Sequence, residues 1–317
     1  MSNKDLNENT LEELFPGVLD ILLADHSSNK NIMWCTNNYK RHGIGFGEND
    51  QIKKELITNH YKKIIRPRIS KSQTEQRKRS KDMAEVFTPS WICNLQNNMI
   101  DDEWFGYPNA FNEQVNDKWL RTQKVLFKNN TWQQYIDLER LEITCGEAPY
   151  LTSRYDVVSG VYIEPMDRVG LLDRKLRVIS ENINAEKEWI LYSQIALKRI
   201  YGYDYQGDNV LLARENLLLT TLEFYEEKFN KKADIEYVLE IAKIISWNIW
   251  QMDGIKYVVP MSCHKEEPIF SLFPEFDEEP EFCRGCLNGN EFEHNGTYCK
   301  IKDWKNKKII RFVDALK

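Results

Sequence analysis

Apolar residues recur every three or four positions across residues 10–23, with Leu11, Leu14, Phe15, Val18, Leu19 and Leu22 on one face, which predicts an opening helix. Thr10, followed three residues later by Glu13, has the spacing of a capping box. Residues 31–36 (NIMWCT) read as a strand, and residues 51–63 as a second helix after a turn-rich stretch. In residues 84–100, Trp91, Ile92, Leu95 and Met99 share one side of a helix that Pro89 or Ser90 opens. Residues 101–130 are aromatic-rich and loop-like, and residues 131–140 look helical.

From residue 141 onward short apolar runs alternate with helical patterns. Leu141, Glu142 and Ile143 end a strand, Thr144 to Ala148 make a turn of small and polar residues, and Pro149 suits the first turn of a following helix. Residues 168–201 form one long helical pattern. A short strand ends at Asp204, a turn passes through Gly207, and a helix carries Ala213, Asn216 and Leu217. A further helix over residues 235–245 leads to a short strand that delivers Asp253, and residues 305–317 read as a strand or short element. Strands alternating with helices predict an α/β fold with a parallel sheet. A glycine turn after such a strand is how open sheets present backbone N–H groups to a nucleotide-like ligand.

Composition narrows the class. At 317 residues, 42% hydrophobic and 29% charged, the chain has the make-up of a soluble globular protein with one large domain or two. It contains no apolar run long enough for a membrane span, and its polar, acidic start lacks the core of a secretion signal. Seven cysteines, odd in number and unevenly placed, argue for a reduced cytoplasmic setting. Against a net charge of -6, residues 62–81 hold nine Lys or Arg and the single acid Glu75. That asymmetry marks Arg66, Arg68, Lys71, Arg77, Lys78 and Arg79 as candidate contacts to DNA phosphates, the alternative being a solvated linker. His26, His42 and His60 lie among polar residues and read as ordinary surface histidines.

Four motifs in order carry a resemblance: Phe87-Thr88-Pro89, the loop from Glu142 through Cys145 and Gly146 to Ala148, Gly202-Tyr203-Asp204 with Ala213-Arg214-Glu215-Asn216-Leu217, and Met252-Asp253-Gly254. Together they resemble class I S-adenosylmethionine-dependent methyltransferases, in particular the adenine-specific DNA methyltransferases of restriction–modification systems. The resemblance implies a Rossmann-like sheet over residues 83–260, preceded by an α+β region with a basic linker (1–82). It implies S-adenosylmethionine bound by Phe87, Thr88, Pro89, Glu142, Cys145, Gly146, Asp204 and Asp253. Asp204 would take the ribose hydroxyls, Asp253 the adenine amine and Glu142 the ammonium group. The chain departs from the pattern where Glu142-Ile143 replaces Asp-Pro and Ala148 replaces the second glycine, and the catalytic Asn-Pro-Pro-Tyr motif is absent from it. The expectation is therefore one half of a split enzyme, acting on double-stranded DNA with a partner chain that carries the motif. The alternative is a non-catalytic DNA- or protein-binding or regulatory module. No endonuclease signature stands out.

Residues 261–317 hold a Cys/His-rich segment. Cys283-x2-Cys286, then His294, then Cys299 has zinc-knuckle-like spacing, with Gly285, Gly289 and Gly296 for the tight turns and Cys263 and His264 in reserve. A structural zinc is expected there, stapling a stretch whose acidic residues 273–282 build little core.

Overall fold

Pro16 and Gly17 interrupt the opening apolar run, so it folds as two helices, α1 (Glu8–Leu14) and α2 (Val18–Leu23), with Gly17 left-handed at φ 86. The N-cap is Asn7, whose side chain accepts from Thr10 N; Thr10 lies inside the helix. The computed structural model describes residues 7–83, 85, 86, 88–265 and 282–316. Phe87 and most of the acidic stretch 273–282 therefore lie outside the described residues.

Residues 31–36 do not form one strand. A two-residue ladder of β1 (Ala24–Asp25) and β2 (Lys30–Asn31) stops at Asn31, where the opposite chain is already helix α2, and Cys35 adopts φ 50 further along. The helix predicted over 51–63 is replaced by 3-10 turns at Lys54–Leu56 and Asn59–Tyr61, with Asn59 left-handed between them. The basic segment instead supplies a helix, α3 (Gln73–Met83). Helix α4 (Ser90–Phe105) runs into a hairpin of β3 (Asn112–Val115) and β4 (Lys118–Arg121), then α5 (Trp132–Ile136) and β5 (Arg140–Glu142). The pattern over 168–201 divides at Ile183 into α6 (Leu171–Asn182) and α7 (Glu186–Leu197). Then follow β6 (Ile200–Asp204), α8 (Gly207–Phe229), α9 (Ile235–Asn248), β7 (Ile249–Gln251), α10 (Arg284–Asn288) and an antiparallel ribbon of β8 (Lys300–Asp303) and β9 (Lys308–Arg311).

The fold is mixed α/β with small sheets, and the sheet that positions the site is three-stranded and parallel, in the order β5-β6-β7. Register pairs Glu142 with Gly202 and Asp204 with Gln251, so the carboxyl ends of the strands stand side by side. Gly202 sits closely packed at the centre, where a Cβ would stand 3.1 Å from Ile249 Cδ1 and 3.4 Å from Cys145 Sγ. Ile200 and Ile249 join a core shared with α8 and α9. Tyr203, Trp250 and Met252 form a second cluster with Val259, Cys299 and Phe312. Among the described residues strand β5 has a partner on one edge alone, and Leu141 and Ile143 beside the other edge are 45% and 62% exposed.

One apolar cluster runs from Leu11 to Ile249, so the boundary expected at residue 82 does not separate two cores. Arg214, fully buried, ties the two regions by donating to the carbonyls of Leu22 (2.5 Å), Ala24 (3.0 Å), Ser246 (3.0 Å) and Ile249 (2.8 Å). His26 is likewise no free surface group. It stacks on Trp247 at 3.9 Å and bonds Ser246 Oγ at 2.9 Å, and burial, with Arg214 nearby, pulls its pKa down to about 4.

Helix α4 is turned about relative to its apolar stripe. Asn94, Asn97, Asn98 and Asp101 face inward, while Trp91, Leu95 and Met99 are exposed. The cause is Arg174 on α6, which donates to Asp101 (2.6 Å), Asn94 (2.9 Å) and Asn98 (2.7 Å). A buried guanidinium needs several acceptors, and the polar face of α4 supplies them.

Candidate functional site

A cleft of about 640 Å3 lies at the carboxyl ends of β5 and β6, walled by Glu85, Thr88, Glu142, Gly146, Asp204 and Asn209 among others. The turn after β5 builds its floor. Thr144, Gly146 and Ala148 all take left-handed backbone (φ 48, 54 and 62), which folds the turn tightly onto the next strand. Cys145 N donates to Tyr203 O at 2.8 Å, and Gly146 N donates to Asp204 Oδ2 at 2.9 Å.

Asp204 also accepts from Gln206 N at 2.9 Å and Asn209 Nδ2 at 3.4 Å. Burial outweighs these bonds and pushes its carboxyl up to about 6. On the neighbouring strand Glu142 Oε1 accepts from Tyr150 N at 3.4 Å, while Oε2 is buried with no hydrogen-bond partner among the described residues. Burial, with the Asp204 charge adding to it, holds Glu142 well above the usual carboxylate range. Two acids at adjacent strand tips, one with an unused buried oxygen, form a site that favours ligand donors and cations.

The structure departs from the sequence reading at several positions. No helix starts at Pro149. The chain passes through turns to α6, where Leu171 N and Leu172 N are already taken by Tyr150 O and Leu151 O, each at 2.8 Å. Gly170 permits that approach, since a Cβ would stand 2.4 Å from Leu151 O. Asp253 is not among the cleft's wall residues. It lies beyond β7 in a turn of its own, accepting from Ile255 N (3.1 Å) and Lys256 N (3.2 Å), which uses up Oδ1. Thr88 reaches the cleft wall, and Pro89 serves as the N-cap of α4. Asn97, Tyr150, Tyr205, Gln206 and Asn209 join the wall without having been singled out. Gln206 and Asn209 had a signal in the sequence, since polar residues just after a strand-end acid open the next helix.

The basic segment is partly internal: Lys71 and Arg79 are buried, Arg66 and Arg68 are half-buried, and Lys62, Lys63, Arg77, Lys78 and Lys81 are exposed. Arg79 is 4% exposed and pairs with Glu85 (2.5 Å) and Asp208 (2.8 Å), and it donates to Gln206 (2.9 Å) and Asn209 (3.3 Å). It thus positions three cleft residues. Burial pushes Asp208 up, but Arg79 and Lys71 more than offset this and hold it below the usual range. Lys71 is itself buried, 4.0 Å from Asp208. Arg68 N donates to Glu147 (2.6 Å) and its guanidinium to Glu85 O (3.1 Å), while Arg66 holds Glu75 at 3.3 Å. Of the six candidate DNA contacts, Arg77 and Lys78 are exposed. Arg79 and Lys71 lie beside Asp208 and Arg68 N meets Glu147, far along the chain, which a one-dimensional charge count cannot see.

The Cys/His segment gathers one compact donor set: Cys263, Cys283, Cys286 and His294, all within 4.8 Å of one another. His294 Nδ1 stands 3.6, 3.5 and 3.7 Å from the sulfurs of Cys263, Cys283 and Cys286. Ordinary Zn–S and Zn–N bonds at tetrahedral angles imply an N···S edge of about 3.6 Å, so these donors fit a tetrahedral ion. Cys299 is not one of them. It is fully buried in the second apolar cluster and donates to Gln251 O at 3.3 Å. His264 is exposed, with Nδ1 at 3.4 Å from Ser262 O. Gly285 and Gly296 leave the room the set needs, because a Cβ would stand 2.7 Å from His294 Nδ1 and 3.0 Å from Cys263 Sγ respectively. The four donors can hold a metal ion.

With this geometry in hand, comparison with known proteins adds no name. The chain matches no protein family, no curated protein and no solved structure. No described helix is long and apolar enough to cross a membrane.

Proposed function

We propose that the chain is the cofactor-binding part of a Rossmann-like, adenine-specific DNA methyltransferase, active with a partner that carries the Asn-Pro-Pro-Tyr motif. The observation that carries this reading is the pair of carboxylates on neighbouring strand tips, Glu142 and Asp204, facing one cleft floored by the Gly146 turn. S-adenosylmethionine supplies an electrophilic methyl group when bound. Asp204 accepts from its ribose hydroxyls, as an acid does at this place in dinucleotide folds. The unused Glu142 oxygen takes its ammonium group, and the half-exposed Tyr205 offers a ring to its adenine. Asp253, occupied in its own turn, has no part in this proposal.

Strand β5 supports the partner. Parallel sheets are ordinarily continued and covered on both faces, yet β5 leaves one backbone edge open between the cleft and a second hollow of about 670 Å3, and Leu141 lines both. A strand added there would bring its own tip to the cleft mouth. In the same reading the Cys263, Cys283, Cys286 and His294 set holds a structural zinc, since all four ligands come from the protein and none is left for catalysis.

Calorimetric titration tests the cofactor site directly. The chain is expected to bind S-adenosylmethionine with saturable heat and to transfer no methyl group to duplex DNA alone. Absence of binding up to millimolar cofactor overturns the reading, and so does turnover without a partner.

A further inference from the structure

A small hollow of about 110 Å3 lies between residues 38–42, residues 64–71 and α3, and it shares no wall residue with the cleft. Five cations stand in its wall, Arg41, Arg66, Lys71, Lys78 and Arg79, against the single acid Glu75. Arg41 and Lys78 are exposed, whereas Lys71 is buried and its amine has no hydrogen-bond acceptor among the described residues. Asp208 stands 4.0 Å from that amine, near enough to offset charge and too far to accept an N–H. The side-chain nitrogen of Asn38, in the same wall, is a second buried donor without an acceptor among the described residues. Neighbouring acids are already engaged: Glu75 with Ser72 N (2.9 Å) and Arg66 (3.3 Å), and Asp208 Oδ2 with Tyr39 Oη and Arg79 (2.8 Å each). Glu85 pairs with Arg79 at 2.5 Å, and Glu147 accepts from Arg68 N at 2.6 Å. With Glu85, Glu147, Asp208 and Arg68 counted in, cations still outnumber acids.

A buried amine whose three N–H groups are unused costs free energy unless an acceptor reaches it. The hollow sets the size of that acceptor, since at roughly 30 Å3 per water it takes a group of a few heavy atoms and no nucleoside. Guanidinium groups in the wall favour an anion with several oxygens, which they can hold through paired N–H donors. We propose that this hollow binds a phosphate group, as inorganic phosphate or as the end of a phosphomonoester. Its oxygens accept from Lys71 and Asn38, and its charge is met by Arg41 and Lys78 on the exposed side. Arg79 lines the hollow and also donates to Gln206 (2.9 Å) and Asn209 (3.3 Å), so one side chain separates this site from the cleft.

Calorimetry on the full chain at neutral pH, with inorganic phosphate replacing chloride at constant ionic strength, tests this without reference to S-adenosylmethionine. Saturable binding is expected, weakened about tenfold in Lys71→Met and in Lys78→Gln, the worth of one hydrogen bond to a charged group. Lys78 is exposed, so Lys78→Gln should melt with the parent and its lost affinity would not reflect lost folding. Arg77, exposed on the same helix but outside the wall, is the control, and Arg77→Gln should bind phosphate as the parent does. Phenyl phosphate separates the two sources: affinity equal to that of inorganic phosphate identifies a monoester end, and affinity about tenfold weaker identifies the free ion. No saturable binding at millimolar phosphate, an affinity unchanged in both Lys71→Met and Lys78→Gln, equal weakening in Arg77→Gln, or equally tight binding of acetate overturns the proposal.

Discussion

Replacing Cys263 with alanine tests the donor set where spacing and geometry disagree. Spacing nominates Cys299, whereas distance nominates Cys263, whose sulfur lies 3.6 Å from His294 Nδ1. Structural zinc sites contribute roughly 10–16 kcal/mol in all, so one ligand of four is worth about 3 kcal/mol, or roughly 10²-fold in affinity. Cys263→Ala should therefore lose zinc to a chelator that the parent resists. Cys299→Ala should keep its metal and lose only buried packing and the bond to Gln251 O, a cost of about 1–2 kcal/mol. Competition with a colorimetric zinc chelator, alongside elemental analysis and thermal melts, separates the two effects. If Cys299→Ala sheds zinc while Cys263→Ala retains it, the assignment is wrong. A parent chain purified with less than a tenth of an equivalent of zinc would refute the centre itself.

Two further perturbations address the cleft. Because the folded Asp204 carboxyl lies near 6 against an ordinary 3.8, the folded chain holds its proton more tightly, and this group's share of stability falls by about 3 kcal/mol as pH rises from about 4 to 6. Asp204→Asn should lose that dependence and unfold at lower urea at pH 7, because both Asp204 oxygens accept from N–H groups and the new amide NH2 would face one of them. In the parent, S-adenosylmethionine affinity should drop as pH falls below about 6. A parent whose urea midpoint is flat over this window would contradict the burial argument. Arg79→Met leaves Asp208 and Glu85 buried without their partner, which should cost about 3–5 kcal/mol by urea denaturation and weaken cofactor binding through Gln206 and Asn209; a loss under 1 kcal/mol would place the salt bridge at a solvated surface.

The parallel sheet was legible in the sequence because short strands alternate with helical patterns, two of the strands ending on the acids Glu142 and Asp204. Helix α4 was legible in position and misread in orientation. Its stripe of Trp91, Leu95 and Met99 obeys helical spacing, but the acceptors demanded by buried Arg174 rotate the opposite face inward. The burial of Arg79 and Lys71 in the basic segment was not legible for a related reason, since both meet Asp208 and Arg68 N meets Glu147, all far along the chain. In the metal set Cys283, Cys286 and His294 were legible from their spacing, and Cys263, named in reserve, takes the place that spacing gave to Cys299. Asp253 was expected at the tip of its strand but lies two residues beyond β7, where its side chain accepts within its own turn, a direction that periodicity does not report.

The bare rim of β5 also bears on handling. Unpaired amides beside solvent-facing Leu141 and Ile143 make an adhesive border, and copies of the isolated chain would be drawn together along it in concentrated solution. Neighbouring strand residues point to opposite sides, so a lysine at position 143 would blunt that border while leaving the Glu142 carboxylate where it stands.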